Sequence, residues 1–521
     1  MYLTQGLHRS VQCNPNGEAI RFQGSSITYR QLADRVARLA GALRQLGVKP
    51  GDRVAMLSLN SPQYLEYYMA VPWADAVLNP INTRWSVAEV VYSLDDSATS
   101  VLIVDDTFLA MGREVFDKAK TLGHLIYTGE TGNEPDLLSY EQLLHDAEPV
   151  EDVRRGGDAL AGVFYTGGTT GFPKGVMLSH MGLCAGFTAC LLSGSCGRDR
   201  HSLQVMPLFH LAGMAGIMMQ YISGGRHVVI PAFEPELVLE TMSTEGVTDV
   251  TLAPTMLQML LDWREAHPER TFDFSSLKNI AYGASPISPT QLDRAREAFP
   301  SAEFRQGYGM TELSTVATAL GAEYHSAAGQ ASGRMYSAGR AVECVEVRIV
   351  DADDNEVARG TIGEIIARGP NVMLGYWNKP EATAEAVRNG WMHTGDAGYM
   401  DEDGFVYVVD RLKDMIVSGG ENIYSAEVET ALNSHPAVSE CAVIAIPSDK
   451  WGETVHAAIV LKAAQEATED DLLSHCRERI AGYKCPRSFE FRDAMPLTSV
   501  GKVSKADLRK PYWEGRGRGV T

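Results

Sequence analysis

The apolar positions along the first part of the chain alternate between helix spacing and strand spacing. Between residues 29 and 46 they recur every three or four positions, which predicts an amphipathic helix that ends at Gly47. Residues 54–59 then predict a strand, and residues 62–74 predict a second apolar helix. Short apolar runs predict further buried strands at 101–104, 125–127, 161–165 and 228–230. Such alternation indicates an α/β fold in which helices cover mostly parallel sheets.

From Val342 onward the pattern changes to short strands separated by turns that are rich in Asp, Asn and Gly. These strands, at 345–350, 363–368 and 404–409, predict a small β-rich part. After Arg411, helices are predicted at 425–433 and 468–480 and strands at 438–446 and 456–461. Because 521 residues are too many for one ordinary core, we predict two domains, a large one at 1–411 and a small α+β one at 412–521.

The composition is that of an ordinary globular protein, with 45% apolar and 21% charged residues. A formal net charge of −20 argues against a nucleic-acid partner, since binding a phosphate backbone needs a basic face. The same charge disfavours passive attachment to anionic lipid. The eight cysteines are scattered and contain no C-x-x-C pair, so we expect reduced thiols and neither a disulfide framework nor a zinc site.

No targeting or membrane-spanning segment is predicted. The N-terminus shows no basic region followed by an apolar run. The most apolar segment, residues 206–222, is short for a membrane span and is interrupted by His210 and Gln220, so it fits a buried helix beside a ligand tunnel better. We therefore expect no integral membrane segment and a cytoplasmic location. The oligomeric state, including a homodimer, stays open.

A loop rich in glycine and threonine follows the predicted strand at 161–165. Its members are Thr166, Gly167, Gly168, Thr169, Thr170 and Gly171. Closely spaced backbone N–H groups and three hydroxyls suit the oxygens of a polyphosphate, and Lys174 adds a positive charge. The loop differs from a common P-loop because Pro173 precedes the lysine and Gly175 follows it. A helix is predicted from Met177 onward, and a flexible hairpin is the alternative interpretation of the loop.

Four later segments add candidate chemistry. Residues 306–312 (QGYGMTE) carry an aromatic ring, two glycines, a hydroxyl and a carboxylate, and residues 391–396 (WMHTGD) place an aspartate directly after a glycine. Residues 410–422 (DRLKDMIVSGGEN) are a charged link followed by a glycine pair, and residues 496–502 (PLTSVGK) end in a lysine. In this order, the five segments resemble the adenylate-forming superfamily, which includes acyl-CoA synthetases, luciferase-like enzymes and the adenylation domains of peptide synthetases. The resemblance extends from residue 27 to residue 505.

The resemblance implies an acyl-CoA synthetase of the fatty-acid or aryl-acid CoA ligase type, whose second domain is a mobile lid. In such enzymes a carboxylate attacks the α-phosphorus of ATP, which gives acyl-AMP and pyrophosphate. A thiol, usually that of coenzyme A, then displaces AMP. The implied cofactors are ATP, Mg²⁺ and coenzyme A, and the protein mainly positions the reactants and neutralises charge.

The resemblance also implies roles in the large domain for residues around ATP. Residues 166–171 and Lys174 would hold the β- and γ-phosphates, although Gly167 stands where a serine is commoner. Glu312 would hold Mg²⁺, Thr311 would bond the α-phosphate, and Tyr308 would lie against the adenine. The alternative for Glu312 is a solvated loop glutamate.

Further roles are implied toward the small domain. Asp396 would accept both ribose hydroxyls, and Arg411 would reach the ribose and phosphates, its alternative being a surface ion pair with Asp410 or Asp414. Lys502 would bridge the acid and the α-phosphate. The resemblance places a hinge at Lys413 and the path of the CoA arm at Gly419 and Gly420. One lid cannot present Lys502 and this glycine pair at once, so it would rotate between the two steps.

By the same resemblance, His210 would lie at the mouth of the acyl pocket, its alternative being a core histidine. The implied pocket residues are Leu211, Ala212, Gly213, Gly283, Gly307, Ser314 and Thr315. These residues are mostly small and uncharged, so a second carboxylate would find no cation there. An elongated apolar acid fits, either a medium- or long-chain fatty acid or a cinnamate-like aryl acid.

Two other functions stay open. One is an acyl-AMP ligase that loads the phosphopantetheine arm of a carrier protein. The other is a non-catalytic acyl- or nucleotide-binding protein, against which the presence of Glu312, Arg411 and Lys502 argues.

Overall fold

The computed structural model describes residues 1–129, 136–166, 173–194, 200–284, 287, 289–412, 414–418, 421–448, 450–498 and 502–514. The chain divides into two compact units. Unit 1 comprises Met1–Val347 and Ile366–His393, and unit 2 comprises Arg348–Ile365 and Thr394–Thr521.

The helices and strands are numbered along the described chain. The α-helices α1 to α16 are Gln5–Cys13, Tyr29–Gln45, Pro62–Trp73, Val87–Asp96, Leu109–Lys118, Tyr140–Asp146, His180–Leu192, Leu211–Ser223, Pro235–Thr244, Pro254–Ala266, Pro289–Ala298, Ala327–Ala331, Pro380–Ala386, Ser425–Asn433, Glu469–Arg477 and Lys505–Trp513. Short 3-10 helices lie at Thr311–Leu313, Ala322–Tyr324 and Arg334–Tyr336.

The strands β1 to β27 are Glu18–Phe22, Ser25–Thr28, Arg53–Leu57, Val77–Pro80, Thr99–Val104, His124–Tyr127, Leu138–Ser139, Leu160–Thr166, Lys174–Ser179, His201–Gln204, Arg226–Val229, Asp249–Leu252, Asn279–Gly283, Glu303–Tyr308, Thr318–Leu320, Arg340–Ala341, Glu346–Val350, Gly363–Arg368, Gly375–Tyr376, Val387–Arg388, Trp391–Met400, Val406–Arg411, Ile416–Ser418, Glu421–Ile423, Val438–Ser448, Gly452–Leu461 and Ser488–Phe491.

Unit 1 contains two large sheets. The nine-stranded sheet has the order β16-β15-β14-β13-β12-β10-β11-β1-β2, and its strands from β14 to β1 are parallel. The eight-stranded sheet has the order β19-β9-β8-β4-β3-β5-β6-β7, and its strands from β8 to β7 are parallel. The antiparallel strands β2, β15, β16, β9 and β19 lie toward the edges. The predicted helix-covered, mostly parallel sheets are confirmed.

Local signals explain why several of these elements form where they do. Helix α2 begins after Thr28, whose side chain accepts a hydrogen bond from the backbone of Gln31, while the Gln31 side chain bonds the Thr28 backbone in return. Its apolar stripe, from Leu32 to Leu43, is fully buried in the main core of unit 1. Such caps and stripes depend only on neighbouring residues, and the prediction for 29–46 agrees with the structure within one residue.

The prediction of a helix from Met177 is wrong. Residues 174–179 form strand β9, which runs antiparallel to β8, and helix α7 begins only at His180. The hydroxyl of Ser179 caps this helix by accepting a hydrogen bond from the backbone N–H of Gly182. Pairing with β8 on one side and β19 on the other supplies the hydrogen bonds that favour a strand here.

Unit 2 has its own sheet and core. Four strands follow the order β24-β23-β26-β25, and β27 adds in parallel to β26. Apolar residues of α14 and α15 pack against β25 and β26. The predicted C-terminal domain is confirmed as part of the fold, and helix α14 has the predicted bounds. Strand β21 begins in unit 1, and its residues 396–400 pair with β22 within unit 2.

Two further observations concern the whole described chain. Within the ranges given above, no helix combines the length and apolar character that crossing a membrane requires. The cysteines at 13, 184, 190, 344, 441, 476 and 485 are free thiols.

Candidate active site

The candidate phosphate-binding loop lies in the sequence between strands β8 and β9. Strands β8 and β9 pair so that Thr166 lies opposite Lys174. The residues between them that the sequence assigns to phosphate binding, Gly167, Gly168, Thr169, Thr170 and Gly171, lie outside the described residues. The hairpin therefore holds the two ends of the loop, and the phosphate contacts stay predictions.

Lys174 and Glu312 both contact one tyrosine, Tyr376. The Lys174 ammonium lies over the Tyr376 ring, 5.1 Å from its centroid. The Tyr376 hydroxyl donates a 2.9 Å hydrogen bond to Oε1 of Glu312. Glu312 is buried and lies in the short helix Thr311–Leu313. This helix begins three residues after strand β14 ends at Tyr308. The structure thus brings together a cation and a carboxylate that the sequence places 138 positions apart.

Glu312 fits the predicted role of a magnesium ligand. A carboxylate oxygen is a hard donor of the kind that Mg²⁺ prefers, and Mg²⁺ commonly takes one or two carboxylates together with substrate phosphates and water. The Glu312 carboxylate is held from one side by the Tyr376 hydroxyl, and its backbone carbonyl accepts a 2.9 Å hydrogen bond from the N–H of Met373. Both interactions orient the side chain before any ion binds.

The turn that follows Glu312 has an unusual backbone. Ser314 has a φ of 48° and Thr315 a φ of 107°, in the left-handed region that a β-branched residue rarely adopts. The side-chain amide of Asn371 donates 3.0 Å hydrogen bonds to the carbonyls of Leu313 and Val316. Such backbone conformations cost about 1–3 kcal/mol each, and a residue keeps one only where contacts with the surrounding structure hold it there. Asn371 is fully buried and spans the turn from one end to the other.

Helix α7 supports the same turn through a glycine. A Cβ added at Gly186 would collide with the carbonyl oxygen of Ser314. The Ser314 side chain is fully buried, and Thr315 lies within 3.8 Å of the Cys190 sulfur through its hydroxyl. The two predicted pocket residues therefore face α7, and the sequence analysis missed Asn371 and Gly186, which hold them. Neither residue has a charged or nucleophilic side chain that would have marked it.

The predicted acyl-pocket glycines differ in the space around them. In the paired strands β13 and β14, Gly283 lies opposite Gly307. A Cβ at Gly283 would be 2.5 Å from the Gly307 carbonyl oxygen, whereas a Cβ at Gly307 would meet only the Val316 side chain, at 3.8 Å. Gly283 is thus needed for close strand packing, and Gly307 leaves open space.

The remaining predicted pocket residues lie at the start of α8. His210 is the residue before the helix, with its ring 4.2 Å from that of Phe209. Leu211 and Gly213 are buried, and Ala212 is half-buried. A Cβ at Gly213 would collide with the carbonyl oxygen of Pro207, so this glycine lets the helix start close to the preceding segment. Their contact with an acyl group stays a prediction.

In unit 2, Asp396 and Arg411 form an ion pair across two strands. They are direct partners in the register of β21 and β22, and Nε of Arg411 lies 2.7 Å from Oδ1 of Asp396. The two alternative partners of Arg411 that the sequence suggested have other side-chain partners, although Oδ1 of Asp410 also accepts a 2.8 Å hydrogen bond from the Arg411 backbone N–H. Asp410 accepts hydrogen bonds from Ser425 at the start of α14, and Asp414 pairs with Arg509 at 2.6 Å.

Lys502 lies near this ion pair. Burial, and to a lesser extent repulsion by Arg411, lowers the pKa of Lys502 to about 8, while the Asp396 charge opposes the shift. Its backbone carbonyl accepts a 2.6 Å hydrogen bond from the N–H of Thr498. Two cations and one carboxylate that the sequence assigns to ATP are thus neighbours within unit 2.

The predicted hinge Lys413 and the glycine pair Gly419 and Gly420 lie outside the described residues. The chain just before the hinge is anchored by a 2.9 Å hydrogen bond from the Leu412 N–H to the Gly395 carbonyl. The chain just after it is anchored by the ion pair of Asp414 with Arg509.

Known families and relatives match most of the chain. A family described as "AMP-binding enzyme" matches residues 7–377, and one described as "AMP-binding enzyme C-terminal domain" matches residues 427–502. A feruloyl-CoA synthase of Amycolatopsis sp is 40% identical over 506 residues, which cover 97% of this chain and 98% of the relative.

Two other relatives widen the comparison. The fatty acid–[acyl-carrier-protein] ligase ScoC of Streptomyces coeruleorubidus is 33% identical over 524 residues, covering 99% of this chain and 98% of that protein. The o-succinylbenzoate CoA synthetase MenE of Bacillus subtilis, solved with the acyl-adenylate intermediate OSB-AMP, has a TM-score of 0.84 at 30% identity. That likeness covers 96% of this chain and 97% of MenE.

Proposed function

Because this chain belongs to the AMP-binding enzyme family of the adenylate-forming superfamily, we propose that it is an ATP-dependent acyl-CoA ligase for an aryl acid of the cinnamate type. It activates the acid as acyl-AMP and transfers the acyl group to CoA, with release of pyrophosphate and AMP. The observation that carries the proposal is the grouping of Lys174, Tyr376 and Glu312, a cation suited to phosphate oxygens beside a carboxylate suited to a metal.

In the first step, the acid's carboxylate attacks the α-phosphorus of ATP and pyrophosphate leaves. Lys174 and the 166–171 loop hold the β- and γ-phosphates, Thr311 bonds the α-phosphate, and Tyr308 lies against the adenine. Asp396 and Arg411 hold the ribose. Glu312 would hold Mg²⁺, which would supply positive charge to the phosphates. Lys502 neutralises the charge that builds up where two anions meet.

In the second step, the CoA thiol attacks the acyl carbon and AMP leaves. The proposal divides the chain into domains 1–411 and 412–521, with Lys413 as the hinge of a lid. Gly419 and Gly420 line the path of the CoA arm after the lid has rotated and has taken Lys502 away. Lids of this kind complete a catalytic site and release it again within one turnover.

The preference for an aryl acid rests on two observations. The feruloyl-CoA synthase is 40% identical over almost the whole chain, which is the highest identity among the relatives compared above. The open space at Gly307 can accept a flat ring beside strand β14. A long fatty chain is the second candidate, supported by the likeness to ScoC.

One experiment tests the function. Pyrophosphate release is measured with ferulate, p-coumarate, cinnamate, octanoate and palmitate, each with and without CoA. We expect release with the aryl acids, and steady turnover only when CoA is present. Pyrophosphate release that needs a phosphopantetheinylated carrier protein in place of CoA would favour the carrier-protein ligase, and no release with any acid would overturn both.

A matched pair of glycine variants tests the pocket. Gly307→Ile puts a branched chain into the open space, so we expect kcat/KM for aryl acids to fall about 100-fold relative to acetate or butyrate. Thermal stability should change little. Gly283→Ala is the control, since its Cβ would press on the Gly307 carbonyl and lower the free energy of unfolding by about 1–3 kcal/mol. A loss with Gly307→Ile that is equal for all acids would place Gly307 outside the acyl pocket.

The same proposal includes a cytoplasmic location, where the free thiols stay reduced. It assigns no nucleic-acid partner to the protein. Light scattering of the purified protein would show whether it forms a homodimer.

A further inference from the structure

Tyr376 makes two different contacts with residues of the candidate site. Its ring face receives the ammonium of Lys174, with 5.1 Å between the nitrogen and the ring centroid. Its hydroxyl donates a 2.9 Å hydrogen bond to Oε1 of Glu312. One side chain therefore touches both the cation assigned to phosphate and the carboxylate assigned to the metal.

The backbone around Tyr376 is hydrogen-bonded to Glu312 and to the residues that directly follow Lys174. In strand β19, Tyr376 pairs with Val176 of β9, and the next N–H, that of Trp377, donates a 2.7 Å hydrogen bond to the carbonyl of Gly175. Three residues before Tyr376, the N–H of Met373 bonds the Glu312 carbonyl. The segment 373–377 is thus a bridge from the end of the phosphate hairpin to the metal-binding carboxylate.

The chemistry of the side chain suits such a bridge. The Tyr376 phenol is a neutral group whose O–H donates to the Glu312 carboxylate. The ring attracts the Lys174 ammonium by its quadrupole without neutralising the charge, as a carboxylate would. Without the tyrosine, Lys174 and Glu312 could move together and pair with each other, which would take both away from ATP and its metal ion.

We propose that Tyr376 is a positioning residue that holds Lys174 and Glu312 in one arrangement, so that the β- and γ-phosphates and the Mg²⁺ of ATP are bound as a single unit. The inference rests on the proposed function, since it assigns Lys174 to phosphate and Glu312 to Mg²⁺. It adds a residue that touches neither the acid nor the reacting atoms and acts through its two neighbours.

Two substitutions separate the two contacts. Tyr376→Phe keeps the ring under Lys174 and removes the hydrogen bond to Glu312. Tyr376→Leu removes both. Binding of ATP to the full chain is measured by calorimetry with Mg²⁺ and again with EDTA, so that the readout does not depend on turnover.

For Tyr376→Phe, we expect the Kd of Mg²⁺-ATP to rise about tenfold, the scale for losing a hydrogen bond to a charged group, while the Kd of metal-free ATP stays the same. For Tyr376→Leu, the Kd of metal-free ATP should also rise, by roughly threefold, because Lys174 loses the ring beneath it. An equal loss with and without Mg²⁺ in Tyr376→Phe, or no loss in either, would overturn the inference.

Tyr140→Phe is the matched control. The Tyr140 hydroxyl also donates to a buried carboxylate, Glu66, at 2.6 Å, but as part of a cluster with Arg35 that the active-site assignment does not include. This variant should lose thermal stability and keep the magnesium dependence of the wild type. A wild-type protein that binds no Mg²⁺-ATP would instead overturn the proposed function, so the two failures are distinguishable.

Discussion

Replacing Lys502 by alanine is expected to slow the adenylation half-reaction by about 10²–10³-fold, the scale for removing one preorganised group that stabilises developing charge. Thioester formation from presynthesised acyl-AMP should be nearly unchanged, because in the proposed mechanism the lid rotation would have taken Lys502 away by that step. The measurement is pyrophosphate release for the first half-reaction and acyl-CoA formation for the second. An equal loss in both would show that Lys502 does not belong to adenylation alone.

Lys502→Arg is the control that separates charge from shape. The pKa of Lys502 is lowered to about 8, so the wild-type ammonium loses its proton as the pH rises through that value. Because the protonated form is the one proposed to neutralise the two anions, kcat/KM for adenylation should fall above pH 8. A guanidinium stays protonated throughout this range, so the arginine variant should show no such fall. A decline of the same size in both proteins would assign it to another group.

Replacing Lys413 by proline is expected to stop the second half-reaction. Proline fixes φ near −65° and removes the N–H, and it also restricts Leu412 before it. The Leu412 N–H is bonded to Gly395, next to Asp396 and its partner Arg411, so the adenylation geometry should be the one that survives. We expect a burst of about one pyrophosphate per enzyme, followed by acyl-CoA formation about 10²-fold slower than in the wild type.

Lys413→Ala removes the side chain and keeps the backbone free, so it should retain steady acyl-CoA formation close to that of the wild type. Quenched-flow measurements of pyrophosphate and acyl-CoA on the same samples compare the two variants directly. Normal steady turnover by Lys413→Pro would place the hinge elsewhere or remove the rotating lid from the mechanism.

Elements with local signals could be predicted from the sequence. Helices α2 and α14 begin and end within one residue of the predicted bounds, because their apolar spacing is a local signal. Helix α2 has in addition a side-chain cap at Thr28 and a glycine, Gly47, just after its end. Residues 174–179 could not be assigned in this way. Their run of Gly, Val, Met and Leu is compatible with either a helix or a strand, and pairing with β8 and β19 decided the outcome.

The sequence could not predict which distant residues contact each other in the fold. Arg411 has three aspartates in nearby motifs, at 396, 410 and 414, and only the register of β21 and β22 selects Asp396. The sequence does not distinguish the roles of Gly283 and Gly307. In the structure, Gly283 is needed for close strand packing, whereas Gly307 leaves open space. Tyr376 carries no charge and lies outside the five motifs, so its contacts with Lys174 and Glu312 could not be predicted.

The sequence by itself determined the family, the kind of fold, the order of the motifs and the chemistry available to them, because these depend on residue types and on spacing along the chain. Only the tertiary structure decided which partners those residues take: Tyr376 with Lys174 and Glu312, Asp396 with Arg411, and Asn371 with the strained turn. Such pairings are set by strand register and by close packing between distant segments, and neither can be predicted from a local sequence pattern.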